Sequence, residues 1–128
     1  MKVLIWAILF AGCSSMSNAD NPDKLSNTVW VSKVAPDCVD TLKFLKDGKM
    51  TSYSCEIQYQ SKGSYTTKSD TVVAVVNEDS HGTVEYWRYT YVMKNGTLLP
   101  ILSEQKTGER WESEKINFES SYIFKKQQ

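Results

Sequence analysis

The sequence has a single histidine, His81, and nothing around it that would use an imidazole. It stands in Glu78-Asp79-Ser80-His81-Gly82, a polar stretch that reads as a solvated loop, so no catalytic base is expected there. Three cysteines without a paired CxxC or an HExxH leave no recognisable zinc pattern. A phosphate-cradling glycine loop and a nucleophile elbow are also missing. Glu109, Glu112 and Glu114 fall in a polar connection and read as solvated charge. Neither sign of charge is in excess: 15 basic residues balance 15 acidic ones, which argues against a nucleic-acid partner. No apolar run is long enough to cross a bilayer as a helix, which takes roughly 20 residues. Helical periodicity of useful length and internal repeats are absent too. Together these absences predict a protein that is not an enzyme, with no catalytic residues, no cofactor, no metal and no nucleic acid.

What is present begins at the N-terminus. Met1-Lys2 gives a short positive start, and residues 3–10 are apolar without a charge, the pattern of a secretory signal. The run ends in Leu9-Phe10-Ala11-Gly12-Cys13. These residues resemble the lipobox of bacterial lipoproteins, with small residues at the two positions before a cysteine. The resemblance implies a signal peptide over 1–12, cut before Cys13. It also implies that Cys13 carries a diacylated thioether and an N-acylated terminus. Each buried methylene of such palmitate-type chains contributes ~0.8 kcal/mol, and more than one chain makes anchoring stable. Ser14 stands where an aspartate would retain a Gram-negative lipoprotein in the inner membrane. The expected localisation is therefore the outer membrane, lipid-anchored and facing the periplasm. Residues 13–27 are rich in Ser, Asn and Asp, and read as a flexible tether.

With Cys13 assigned to lipid, Cys38 and Cys55 form an even pair in an exported chain, which points to a disulfide. Such a bridge would contribute about 3 kcal/mol in the chain-entropy model. Between the two cysteines, Asp47-Gly48 separates two alternating runs, a strong hairpin signal. A two-residue turn there pairs Lys46 with Lys49, Phe44 with Thr51 and Leu42 with Tyr53. It puts Leu42, Phe44, Tyr53, Cys55 and Ile57 on one apolar face. Cys38 then lies diagonal to Cys55, and diagonal neighbours are ~7–8 Å apart, too far for an unstrained bridge. Either Pro36-Asp37-Cys38 leaves the ladder or a bulge shifts the pairing.

The rest of the chain reads as further strands. Thr28-Val29-Trp30-Val31-Ser32 comes first, with Trp30 as a core plug. Residues 64–68 and 71–77 flank a turn at Ser69-Asp70, and the second run is apolar on both faces. Residues 83–94 alternate, with Trp87, Tyr89, Tyr91 and Met93 on one face. Asn95-Gly96 turns the chain, pairs Met93 with Leu98 and brings Leu102 opposite Tyr89. Pro100 falls across from Tyr91, so the return strand is expected to be an edge, bulged or broken there. Residues 103–115 read as a long connection, and 116–124 as the closing strand. Short strands joined by tight turns predict an all-β fold, a single antiparallel barrel or sandwich. An eight-stranded barrel is just wide enough for side chains or one small ligand.

These segments also resemble small lipocalin-like (calycin-type) domains. The carriers are Leu25-Ser26-Asn27-Thr28-Val29-Trp30, the run Thr41-Leu42-Lys43-Phe44-Leu45-Lys46-Asp47-Gly48, and Lys62-Gly63-Ser64-Tyr65 continuing to Asp70-Thr71-Val72, followed by Asn95-Gly96-Thr97-Leu98 and Tyr122-Ile123-Phe124-Lys125. The resemblance implies an eight-stranded up-and-down barrel over 28–126, closed by a Trp30–Lys125 contact. It further implies a small apolar or amphipathic ligand. Inward-facing aromatics would line that site: Tyr53, Tyr65, Trp87, Tyr89, Tyr91 and Tyr122. Several buried phenols need hydrogen-bond partners, which hints at a wet cavity rather than a dry plug. The alternative function is a periplasmic protein-interaction module, like lysozyme inhibitors or envelope-assembly accessories, acting through the 78–82 and 103–115 loops.

Overall fold

The computed structural model describes residues 24–80, 82–115 and 122–128. The expected signal peptide, Cys13, most of the tether and His81 lie outside them. Among the described residues nine strands follow in order: β1 Thr28–Ala35, β2 Cys38–Phe44, β3 Lys49–Ser54, β4 Tyr59–Lys68, β5 Thr71–Ser80, β6 Thr83–Lys94, β7 Thr97–Thr107, β8 Arg110–Lys115 and β9 Phe124–Lys126. Strands β1 to β7 and β9 close an antiparallel eight-stranded barrel, and β8 is one extra strand. Neighbours in sequence pair from β1 to β8. Closure is made by β9, which sets Lys126 opposite Trp30 and Phe124 opposite Leu98. The second half of β7 pairs with β8, from Leu102 opposite Lys115 to Thr107 opposite Arg110.

The first hairpin departs from its expected register by one residue. The turn is Lys46-Asp47-Gly48, with Asp47 and Gly48 both left-handed (φ +64° and +72°). Leu45 N donates to Lys49 O at 2.7 Å below it. Phe44 therefore faces Met50, Leu42 faces Ser52 and Thr41 faces Tyr53. A one-residue slip exchanges the two faces of a strand. Met50 enters the core, 2% exposed, and Tyr53 and Ile57 come out, 36% and 60% exposed. Packing explains the longer turn. It rests on β4, where the Tyr65 hydroxyl donates to Leu45 O at 3.2 Å. Gly48 lies so close that a β-carbon would sit 3.3 Å from Tyr65 O.

The Cys38–Cys55 disulfide is formed, with its α-carbons 5.4 Å apart. Its geometry is solved on the Cys55 side. Cys38 and Val39 stay in regular pairing with Ala35 and Lys33, past a bulge in β1. The β3–β4 ladder ends at Ser54, and Cys55 N is held by Asp40 Oδ1 at 2.8 Å.

Four other expectations change. The 103–115 connection is instead the end of β7, a turn at Gly108 (φ +64°) and β8. Apart from Trp111 its residues are polar on both faces, so no apolar alternation advertises the strands. Tyr89 meets Ser103 rather than Leu102, because the ladder shifts where Pro100 faces Tyr91. A Trp30–Lys125 contact is excluded by register: Lys125 pairs with Val31, one position along from buried Trp30, and points to the other face. Within the stretch read as tether, Leu25 is 1% exposed and belongs to the core.

The core is displaced towards one end. That end carries the Asp47-Gly48, Ser69-Asp70 and Asn95-Gly96 turns. Leu25, Trp30, Leu42, Phe44, Met50, Tyr65, Val72, Tyr91, Leu98 and Phe124 fill it. Phe44 meets Tyr65 edge-on at 4.9 Å, and Tyr91 meets Phe124 edge-on at 6.0 Å. Burying such side chains contributes roughly 1.5–3 kcal/mol each.

Candidate ligand-binding mouth

Side chains alternate along each strand, so the inward positions continue past the packed end and can be followed to the other. Ala74 faces Tyr89 across the β5–β6 ladder, Val76 faces Trp87, and Glu78 faces Glu85. On β7 the corresponding residues are Ser103 opposite Tyr89 and Gln105 opposite Trp87. β8 adds Glu112 opposite Gln105. On the far wall, Ser32 and Ser61 are the buried polar residues. The interior thus changes from apolar to polar and acidic as it nears the disulfide end.

A half-open cavity of about 360 Å³ occupies the β6–β7–β8 side of this mouth, lined by Trp87, Ser103, Gln105, Glu112 and Ser113. Its volume falls within the ~300–1,000 Å³ of small-ligand pockets. Trp87 Nε1 is buried without a hydrogen-bond partner among the described residues. An unmatched buried donor costs about 1–3 kcal/mol, and a partner is expected for it. Gln105 Nε2 donates to Glu85 Oε2 at 3.4 Å, which leaves the Gln105 carbonyl as an acceptor. Trp87 and Tyr89 hold their rings parallel within 6°, with centroids 6.3 Å apart. Burial pushes the Tyr89 phenol up to about 12, and the Glu78 carboxylate adds to the shift. Tyr91, deeper, is raised further by burial, with smaller contributions from Tyr89 and Asp40.

The six aromatics expected to line a site are not brought together. Trp87 and Tyr89 border the polar interior. Tyr65 and Tyr91 are consumed by the packed core. Tyr53 lies on the outer face through the hairpin slip, and Tyr122 is 43% exposed. Sequence reasoning missed Ser103, Gln105, Glu112 and Ser113, all within the supposed connection. The one available signal was Thr107-Gly108-Glu109-Arg110, a glycine-bearing turn between polar runs.

The outer surface of the same three strands carries a second constellation. Arg88 Nε and Nη2 each donate to Glu104 at 2.7 Å. The Arg88 guanidinium lies 4.3 Å from the Trp111 ring centre, and Lys106 Nζ lies 5.8 Å from that of Tyr86. Its hydrogen bond to Arg88 holds the Glu104 carboxyl below its usual value. Val84 and Tyr86 are exposed beside this ladder. Among the described residues, no group of acidic, histidine or cysteine side chains is placed to hold a metal ion, and no helix is long and apolar enough to cross a membrane. No protein-family model, curated protein or solved structure matches this chain.

Proposed function

We propose that this protein is a non-enzymatic binding barrel, tethered to the outer membrane through lipid on Cys13, that takes a small amphipathic molecule into its disulfide-end mouth. The carrying observation is the half-open cavity of about 360 Å³ walled by Trp87, with its N–H unmatched, at the end where the apolar core stops. Packing of Leu25 beside the hairpin end supports an orientation as well. A tether upstream of Leu25 leaves the packed end nearest the anchor and the mouth turned away from it. Ligand would then be met in the aqueous space rather than drawn from the bilayer. Trp87 and Tyr89 remain from the expected aromatic set as ligand-contacting residues.

Two measurements test this reading. Mass spectrometry of the mature N-terminus should find acylated Cys13, and an unmodified terminus elsewhere removes the tether. In ¹⁵N-labelled protein, the Trp87 indole resonance should move saturably with a bound small molecule while those of Trp30 and Trp111 stay still. If saccharides, alkyl chains and alkylammonium ions all leave it unmoved, the binding mouth is rejected. Exposed Val84 and Tyr86 beside Trp111 favour a second reading, a periplasmic protein held on the outer face. It predicts that Tyr86→Ser abolishes capture of a specific partner and spares the Trp87 response.

A further inference from the structure

We infer that the mouth is built for a neutral, polyhydroxylated ligand, one or two sugar rings in size, a deduction that rests on the binding reading above. The groups around the cavity form an uneven set. One donor, Trp87 Nε1, is buried and unmatched. Acceptors outnumber it: the Glu112 carboxylate, the Gln105 carbonyl, and the Ser103 hydroxyl, which can serve either way, while Ser113 borders the cavity from a register position on the Glu104 face. Glu85 stands beside them, already in contact with Gln105, and Glu78 faces Glu85 across the β5–β6 ladder.

Each ligand class can be set against that inventory. An alkyl chain satisfies neither the indole N–H nor the carboxylates, and it would strip water from charged groups at a large cost. A carboxylate or phosphate could accept from Trp87, but it would face Glu78, Glu85 and Glu112, and no cation lines the cavity among the described residues. An ammonium ion suits the carboxylates and offers nothing to the indole N–H, because it has no acceptor. A hydroxyl does both at once. It accepts from Trp87 and donates to Glu112 or Gln105, and a sugar ring repeats that pairing on adjacent carbons. The C–H face of such a ring also suits the half-buried indole, which forms the apolar part of the wall. Volume agrees: the cavity lies at the small end of the ligand-pocket range.

β8 matters to this assignment. It supplies Glu112 and Ser113, so the strand added to the eight-stranded barrel builds one wall of the cavity.

The test is a ¹⁵N titration of the full chain with cellobiose and N,N′-diacetylchitobiose, run beside dodecanoate and dodecylammonium. Saturable movement of the Trp87 indole by at least one disaccharide is expected, with Trp30 and Trp111 unchanged. Trp87→Phe keeps an aromatic wall and deletes the N–H, and should weaken disaccharide binding about tenfold. Glu112→Gln, at an exposed position that folding tolerates, keeps a carbonyl acceptor and removes the charge. It should weaken the disaccharide only a few-fold, where an ammonium ligand would be lost. If dodecanoate or dodecylammonium moves Trp87 and neither disaccharide does, the polyol assignment is wrong and the binding mouth stands. If no probe moves it, water fills the cavity and both fall.

Discussion

At Gly63 a β-carbon would lie 1.9 Å from Val75 O and 2.7 Å from Val76 Cα. The obstacle is backbone, so no rotamer change relieves it. Gly63 faces Val76 across the β4–β5 ladder and Met50 across β3–β4. Gly63→Ala must therefore push two ladders apart, and should destabilise the barrel by about 3 kcal/mol, the upper end of overpacking costs. Urea midpoints measure it, and a cost under ~1 kcal/mol would show that the strands part easily. Tyr89 gives a second check at this scale. Its folded-state pKa of about 12 exceeds the ordinary 10.0, so the folded chain holds the phenolic proton more tightly. That contribution is complete below pH 10 and is lost as pH rises towards 12. Urea midpoints at pH 9 and 11.5 should fall less in Tyr89→Phe than in the unaltered chain. Identical losses would mean that Tyr89 meets solvent freely.

Turns and bridges decide matters at the level of elements, and here the sequence was readable in part. Asn95-Gly96 and Ser69-Asp70 announced their hairpins correctly, because Ser69, Asn95 and Gly96 belong to residue types that accept the left-handed φ these tight turns need. Asp47-Gly48 announced a hairpin too, but its length was set by a tertiary contact with Tyr65. No local pattern carries that contact, and the slip moved Tyr53 out of the expected site. Nor does a local pattern expose β8, where Trp111 is the one apolar residue between polar neighbours. The disulfide was legible from cysteine number and an expected export, and only its geometry needed the structure. Replacing Cys38 and Cys55 together by alanine should cost about 3 kcal/mol, given a separation of 17 residues. A loss near zero would show that the unfolded chain is already compact there. On the outer face, the Arg88–Glu104 pair should show a coupling of at most ~1 kcal/mol in a double-mutant cycle with Arg88→Met and Glu104→Gln. The hydrogen bond from Arg88 holds the Glu104 carboxyl below its ordinary value of 4.5. Its contribution is thus complete above that pH and fades as pH falls through the lowered value. A coupling that survives undiminished at pH 2 would mean that the Glu104 charge does not carry it.

Across the whole molecule, the barrel is apolar at one end and polar at the other. This division was hidden in the sequence because each strand supplies only one or two residues to each end. Tyr65 and Tyr91 read like Trp87 and Tyr89 as aromatics on inward faces. Only closure shows that the first pair plugs the packed end and the second borders the mouth. The same division should govern dynamics. Local openings are cheapest where few apolar contacts are lost. At the packed end, Leu42, Phe44, Val72 and Leu98 are at most 2% exposed, so their amides should exchange only by global unfolding. β8, by contrast, pairs with β7 alone among the described residues, and its Glu112 and Ser113 side chains are exposed. Its amides should exchange faster than those of any barrel strand, through an opening that releases Arg110–Lys115 and leaves the barrel closed. A ligand bridging Trp87 and Glu112 would oppose that opening, because it ties β6 to β8. Hydrogen exchange with and without cellobiose therefore reads both claims in one measurement. Slowing confined to β8 and the adjoining half of β7 is the expected result. Protection of β8 equal to that of β2 in the free protein would mean that its outer edge is already covered, and that the mouth is narrower than its cavity suggests.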